Sequence, residues 1–502
     1  MSRRWSLLVS VAAAVAFVVA PIASAGHGAG PSTRTTTTVL TVGGPATGRA
    51  IPAGFLGLSL EYFAIPAYAG TDASAINPVF VRLIRNLAGG TPPELRIGGD
   101  TTDRTWWAVP NTPTPAGVTY TLTPGWIAVT KALAAATGAR LTLGINLEAD
   151  RAAVAGAEAD QLVAGIGRNR IEALELGNEP ELYGKFSWGL SGRPGRARDY
   201  GFGAFQDDFT RISSALPRVP LAGPATGALR WFKHTSRFLT DHREVTVATL
   251  HRYPLESCYV TRRQPSYPTI SHLLSRGSTQ ALASSVAVAV KQADARHIAV
   301  RVDEINTISC GWDPAVGRSF ASALWALQTL FDLAGEGVDG VNIHTFPGAA
   351  YALFRFTQRN GRWRGVVMPE YYGLQMFAQA APPGSRLLTV SATHAHRLQA
   401  YATRARGGTL RVVVINEGPG ARVVRVRVPA EARTRTASLE LLTAPSLRAR
   451  SKVTLAGQSY GSSTTTGRLA GPQKTFAIPR TSGGYALSVP PASAALLAVG
   501  QS

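Results

Sequence analysis

Ala173-Leu174-Glu175-Leu176-Gly177-Asn178-Glu179-Pro180-Glu181 is the stretch from which the rest of the chain can be read. An apolar run of strand character ends in Gly-Asn-Glu-Pro. Pro180 has no N–H to give a ladder, so a central strand must stop before it. A residue that precedes proline is biased toward extended geometry, which predicts an extended Glu179 at the strand's C-terminal tip. A second stretch answers the first: His297-Ile298-Ala299-Val300-Arg301-Val302-Asp303-Glu304-Ile305-Asn306. Here too a β-branched run ends in a carboxylate, Glu304. Residues 179 and 304 are 125 positions apart, room for about three βα units. The C-terminal strand tips of a β/α barrel are where its chemistry sits. Two carboxyl groups on two such tips are what glycoside hydrolysis needs.

Six further runs complete a barrel rhythm. They are Phe55–Leu60, tipped by Glu61; Glu94–Ile97, tipped by Gly98-Gly99-Asp100; Arg140–Asn146; a weak Pro220–Pro224; Val245–His251; and Gly340–His344. Segments between them, such as Val79–Leu87 and Phe320–Ala334, carry apolar residues at three- and four-residue spacing, which predicts amphipathic helices. A last barrel helix runs from Met368 to about Ala381, where Pro382-Pro383-Gly384 ends it. Short strands and turns follow, such as Leu410–Asn416 and Val423–Val428, and predict an antiparallel sandwich. The expected fold is therefore α/β: a (β/α)8 barrel over residues 51–384, then a C-terminal β-sandwich over 385–502. Residues 39–50 read as an N-terminal strand outside the barrel.

The N-terminus has the form of a secretory signal over residues 1–25: Arg3 and Arg4, the apolar run Leu7–Ala20, and the small-residue site Ala23-Ser24-Ala25. Residues 26–38 read as a disordered Gly/Ser/Thr leader. No later stretch is long and apolar enough for a membrane span, so a secreted protein is expected. In an oxidising compartment the two cysteines, Cys258 and Cys310, are expected to pair; the alternative is two buried thiols. Two cysteines without histidines at ligand spacing are not a zinc pattern, and neither metal nor cofactor is expected. The net charge of +21 is uneven: from Arg386 onward 16 Lys/Arg face three acids, Glu417, Glu431 and Glu440, a net +13. Such a surface attracts polyanions and acidic sugars. An arginine-rich solvated surface without a ligand explains the same composition equally well.

Asn178-Glu179-Pro180 after a strand, the later strand-end Glu304 and the early run Leu95-Arg96-Ile97-Gly98-Gly99-Asp100 resemble the clan of retaining glycosidases built on (β/α)8 barrels. Within it the chain most resembles glycoside hydrolase family 79, the heparanases and bacterial β-glucuronidases, over roughly residues 50 to 500. The resemblance implies that Glu179 is the acid/base and Glu304 the nucleophile, and that Tyr253 supports Glu304. It implies a uronate site made by backbone N–H groups after the nucleophile, carried here to Ser309 and Gly311, and by Tyr351. It also implies that the N-terminal strand joins the sandwich. Asn178 would hydrogen-bond the sugar 2-hydroxyl, and Glu61, Asp100 and Asp103 are candidate binders of other hydroxyls. Glu175 and Glu181 remain alternatives to Glu179, and Asp303 to Glu304, although alternation along a strand should turn Asp303 away from Glu304. Arg96 reads as a buried charge partner beneath the site.

The activity these readings imply is exo-acting removal of β-linked glucuronic acid from a glycan or glucuronide by a monomer, with no nucleic-acid partner. The alternatives are an endo-acting, heparanase-like hydrolase, a neutral-sugar glycosidase of the same clan, and a non-catalytic polyanion-binding protein on an inactive barrel.

Overall fold

The structure, a computed structural model, describes residues 37–432 and 434–500. The signal and most of the leader lie outside the described residues. Among these residues no helix is long and apolar enough to cross a membrane.

Eight parallel strands close into a barrel, each paired with its neighbours in sequence order: Leu56–Glu61, Glu94–Gly98, Arg140–Ile145, Ile171–Leu176, Leu221–Thr226, Val245–Arg252, Ala299–Ile305 and Gly340–His344. All eight expected runs are present. The fifth reads weakly because Pro224 has no N–H to donate, and the pairing skips between Gly223 and Thr226. The seventh holds a departure from expectation. Its register against both neighbours skips Asp303, so that Val302 faces Leu250 while Glu304 faces His251. This extra residue is a β-bulge, which breaks strict alternation. Asp303 therefore does not face away from Glu304; both carboxylates reach Arg96.

Helix Pro78–Leu87 buries Val79, Phe80, Leu83, Ile84 and Leu87 on one face, and Asn77 caps it through Val79 N and Phe80 N. Helix Phe320–Gly335 is not amphipathic as expected: 14 of its 16 residues are buried. It packs in the same core as helix Pro369–Ala380 and side chains of the C-terminal domain, Val413 and Leu496 among them, and a helix covered on every side needs no polar face. A hairpin, Phe354–Arg359 with Arg362–Val367, follows the eighth barrel strand and was not anticipated. Its turn is Asn360-Gly361, both at positive φ, a hairpin signal present in the sequence.

The C-terminal domain is one continuous ten-stranded sheet rather than two separate ones. Thr436–Thr443 pairs with Phe476–Thr481 on one side and Ser493–Val499 on the other, which curls the sheet back on itself. Strand Thr38–Ala50 lies within this sheet, antiparallel to Arg386–Ala392 but parallel to Arg422–Arg427. No hairpin joins that parallel pair; the strand's direction is set by the chain's entry into the barrel at Ile51. In strand Leu410–Asn416, Val412 and Val414 fill the sheet's interior, while Val413 and Ile415 join the barrel's core. Burial on both faces explains the unbroken apolar run.

Cys258 and Cys310 are bonded, with Cα atoms 5.7 Å apart across 52 positions. In the chain-entropy model a loop of this length contributes about 4 kcal/mol. Non-reducing peptide mapping of secreted protein should recover the Cys258–Cys310 pair, and reduction should lower the denaturation midpoint. Two alkylatable thiols in the native protein would refute the bond.

Candidate active site at the barrel's C-terminal edge

Arg96, in the middle of the second barrel strand, is fully buried beneath the strand tips. Its Nε donates to Glu175 Oε2 at 2.6 Å, Nη1 to Glu304 Oε2 at 2.5 Å and to Ser59 Oγ at 3.2 Å, and Nη2 to Asn178 Oδ1 at 2.8 Å. Asp303 Oδ2 lies 3.4 Å from Nε. Burial pushes the Asp303 carboxyl well up, and neighbouring Glu175 adds to that. Burial, the largest influence, would raise Glu175 as well, but Arg96, Asp303, His251 and Thr249 together outweigh it and hold Glu175 below the usual range. The pair thus divides into a protonated Asp303 and an ionised Glu175.

Glu304 is held ionised even more firmly. Burial opposes its charge, yet His344, His251 and Arg96, with the Tyr253 hydroxyl, together lower its pKa far below the carboxylate range. Tyr253 donates to Glu304 Oε1 at 2.8 Å, and His344 Nδ1 lies 3.9 Å from Oε2. His344 in turn contacts Ser59 Oγ at 2.9 Å and Glu61 Oε1 at 3.4 Å.

Glu179 sits opposite. Its backbone is at φ 47°, ψ 54°, left-handed rather than extended. Proline excludes the right-handed region for the residue before it. Glu179 N donates to Ala225 O at 2.8 Å, and Glu179 O accepts from Leu182 N as Pro180–Leu182 turn, so contacts on both sides impose the remaining compact conformation. A strained residue of this kind persists only where its surroundings over-determine it. The side chain is 24% exposed, and Oε1 lies 3.1 Å from His251 Nδ1. One carboxylate oxygen of Glu179, one of Glu304 and a nitrogen of His251 all lie within 4.8 Å of one another. Glu181 points elsewhere, accepting from Thr226 Oγ1 and Gly227 N, both at 2.7 Å. Burial, and then Glu179 beside it, pushes Glu181 up to about 7.

Two of the expected hydroxyl binders are otherwise engaged. Asp103 accepts four hydrogen bonds, from Leu147 N, Glu148 N, Asn178 N and Tyr183 Oη, at 2.7–3.0 Å. Both oxygens are committed, so Asp103 ties loops together instead of offering itself to a sugar. Glu61 accepts from Asp100 N, Thr101 N and Thr101 Oγ1, which anchors the turn after the second strand. Asp100 alone of the three projects into solvent, its side chain 68% exposed. Asn178 spends its oxygen on Arg96, leaving its amide N–H groups without a hydrogen bond among the described residues.

Ser309 requires a further correction. Its backbone N–H donates to Leu255 O at 2.8 Å, in the parallel bridge between Leu255 and Ile308, and is not available to a ligand. Gly311 N–H makes no hydrogen bond among the described residues. Gly311 has φ +84°, and a Cβ there would meet Ser257 Oγ at 1.9 Å, so only glycine fits. Tyr351 is buried, its ring 6.0 Å from that of Tyr253. Sequence reasoning gave no part to His251, His344, Ser59 or Tyr183. The two histidines end quoted barrel strands, and that position was the available signal.

Above these residues lies a cleft in two lobes that meet at Asp100 and Glu179. One, of about 180 Å³, reaches Asn178, Tyr183 and Trp188; the other, of about 620 Å³, reaches Ser309, Gly311 and Tyr351. The larger lobe falls within the ~300–1,000 Å³ of ordinary ligand sites. Removing Arg96 would leave Glu175 and Glu304 buried without their shared cation. Arg96→Met should therefore cost about 3–5 kcal/mol of stability by denaturant titration, and a loss below ~1 kcal/mol would show that the cluster does not depend on it.

Residues 400–496 match the glycosyl hydrolase family 79 C-terminal beta domain. No curated protein matches the sequence. Among solved structures, the chain is similar to a 4-O-α-L-rhamnosyl-β-D-glucuronidase from Fusarium oxysporum 12S in complex with Rha-GlcA (TM-score 0.69, 19% identity, covering 91% of this chain and 99% of that one). It is also similar to a GH51 arabinofuranosidase from Xanthomonas axonopodis pv. citri (TM-score 0.63, 16% identity, 92% and 99%) and to CelM2, a bifunctional glucanase-xylanase from a metagenome library (TM-score 0.60, 13% identity, 93% and 99%). At these identities the structural likenesses establish the fold. The chain resembles glycoside hydrolase family 79, with a closed (β/α)8 barrel followed by a segment that matches that family's C-terminal beta domain.

Proposed function

We propose that the protein is a secreted, retaining glycoside hydrolase that removes β-linked glucuronic acid. The observation that carries this reading is the approach of Glu179 and Glu304 to within 4.8 Å, with Glu304 held ionised by its neighbours. Retaining enzymes keep their carboxyl groups ~5–5.5 Å apart, whereas inverting ones leave ~6.5–9.5 Å for a water. The approach supports the shorter class.

In this mechanism Glu304 attacks the anomeric carbon while Glu179 gives its proton to the leaving oxygen. The glycosyl ester on Glu304 is then hydrolysed by water that Glu179 deprotonates. Tyr253 and Arg96 hold Glu304 in place and in its charged form. The competing carboxylates fit less well: Glu175 is fully buried on Arg96, Asp303 is buried and protonated, and Glu181 is bonded to Thr226 and Gly227. The free N–H groups of Asn178 suit the 2-hydroxyl.

The choice of a uronic acid rests on the family 79 match at residues 400–496, on the activity of the Fusarium relative, and on neutral donors that line the same lobe as Glu179. These are Gly311 N–H and the Tyr351 hydroxyl, which burial keeps protonated. A neutral-sugar activity is the second reading, favoured by the likeness to the arabinofuranosidase. Secretion rests on the N-terminal signal and accords with the disulfide.

A panel of aryl β-glucuronide, β-galacturonide, β-xyloside and α-arabinofuranoside tests the sugar; the glucuronide should be preferred, and preference for a neutral glycoside would shift the reading to the second. Tyr351→Phe should raise KM for the glucuronide about 10- to 100-fold, the value of a hydrogen bond to a charged group. An equal loss on a neutral glycoside would count against a uronate contact.

Azide separates the two glutamates. In Glu179→Ala an activated aryl glycoside still forms the ester, and azide, which needs no base, should restore turnover and yield the β-azide. In Glu304→Ala azide can enter only from the opposite face and should yield the α-azide. The reverse pattern would exchange the two assignments, and full activity in both variants would place the chemistry elsewhere.

A further inference from the structure

The hairpin Phe354–Arg359 with Arg362–Val367, which follows the eighth barrel strand, has two unlike faces. Alternation along each strand sends successive side chains to opposite sides. Phe354 and Phe356 point inward, where their rings pack on Tyr68 and Phe80. The other face carries Arg355, Thr357 and Arg359 on one strand and Arg362, Arg364 and Val366 on the other. All four arginines are exposed. Arg359 lies directly opposite Arg362, and like charges so placed destabilise a strand pair, so the stability of the hairpin does not explain them. No carboxylate relieves the repulsion: none of the four forms an ion pair among the described residues. Arg364 donates to a neutral partner, Ser463 Oγ, at 3.2 Å.

The positive charge continues from the hairpin to the edge of the cleft. Burial lowers the pKa of Arg318, and the charges of Arg355 and Arg450 lower it further. Arg318 Nη2 donates to Ala349 O at 2.5 Å, and its guanidinium stands over the Trp312 ring at 5.0 Å. Ala349 and Trp312 both line the larger lobe, which has no lysine or arginine among its own lining residues. The basic surface therefore begins where the cleft ends.

What else the hairpin face holds narrows the kind of polyanion. Unpaired nucleic-acid strands are held by aromatic platforms under their bases, and no ring stands on this face. A membrane-binding surface adds apolar side chains that enter the lipid; here the one apolar side chain, Val366, is half-buried. What remains is guanidinium forks, whose planar geometry matches the two oxygens of a carboxylate. Same-face neighbours along a strand lie about 6.5–7 Å apart. The forks thus form a row rather than a pocket, which suits an extended chain with repeated charge.

We propose that this hairpin face, continued by Arg318 and Arg450, is a docking surface outside the cleft for an acidic polysaccharide with uronate carboxylates along its chain. The choice of uronate rests on the glucuronidase reading and extends it from one sugar in the cleft to the polymer. Docking requires no turnover, so the two can fail separately.

The test is calorimetric titration of the intact, oxidised protein with a polyglucuronic acid fragment. Arg355→Gln, Arg359→Gln, Arg362→Gln and Arg364→Gln together should weaken binding about 10- to 100-fold, the combined value of four exposed ion pairs. The same variant should keep kcat/KM for an aryl β-glucuronide within twofold. Lysine at the four positions should retain most of the affinity, which a misfolded hairpin would not allow. An equal loss of charge in the C-terminal domain, by Arg425→Gln, Arg427→Gln, Arg435→Gln and Arg480→Gln, should change the affinity less than threefold. The hairpin glutamine variant should also lose less affinity for a DNA duplex and for phosphatidylglycerol vesicles than for polyglucuronate. No binding of polyglucuronate by the wild-type protein at millimolar sugar would overturn the proposal. So would unchanged affinity in the hairpin variant, an equal loss in the C-terminal variant, or an equal or larger loss on DNA or vesicles. If the wild-type protein cleaves no aryl glucuronide, the glucuronidase reading fails, and the binding comparison still decides whether the hairpin docks the polymer.

Discussion

The buried guanidinium of Arg96 is the interaction on which the site depends. One planar cation touches Ser59 on the first barrel strand, Glu175 and Asn178 on the fourth strand and its tip, and Glu304 on the seventh. Burying ionised groups is costly unless each is paired and hydrogen-bonded. Arg96 meets that requirement for two carboxylates at once, and the third, Asp303, stays neutral by keeping its proton. The electrostatics therefore leave Glu304 charged and immobile at the floor of the cleft, while Glu179, across from it and partly exposed, is free of any contact with Arg96. The charge on Glu304 follows from its neighbours, His344 and His251 first and then Arg96 and the Tyr253 hydroxyl.

A second layer of hydrogen bonds shapes the loops above that floor. Asp103 gathers the loops after the second, third and fourth strands through four donors, and Glu61 closes the turn at Asp100–Thr101. Neither is spare for a ligand, yet both decide where groups that could meet one, Asn178 and Asp100, stand. On the other side the disulfide and the bridge between Leu255 and Ile308 hold the loops after strands six and seven in one shape. The cleft is thus walled by polar ties on one flank and a covalent tie on the other.

The C-terminal sheet serves the barrel structurally. Its strands Leu410–Asn416 and Ser493–Val499 each send alternate residues into the barrel's core, and helix Phe320–Gly335, which directly follows the loop bearing Gly311 and Trp312, shares that core. The two folding units are joined by one apolar interior rather than by a polar interface, which favours a fixed relation between the sheet and the loop after the seventh strand.

Much of this was legible in the residues alone. Eight β-branched or apolar runs, proline after Glu179 and the Asn-Gly turn at 360–361 are local signals, because strand propensity, a missing N–H and positive φ act within a few residues. The sequence by itself determined the barrel, its order, the two carboxylates at its tips and the cysteines available to pair. Only the tertiary structure decided what surrounds the carboxylates. The bulge that brings Asp303 onto the side of Glu304 depends on register against both neighbouring strands. The left-handed turn at Glu179 depends on the Ala225 carbonyl of the next strand. The engagement of Ser309 N–H by Leu255, and of Asp103 by four donors, arises between loops distant in sequence. Each is a pairing across the barrel mouth, and a pairing is set by where two segments meet in space, which spacing along one segment does not encode.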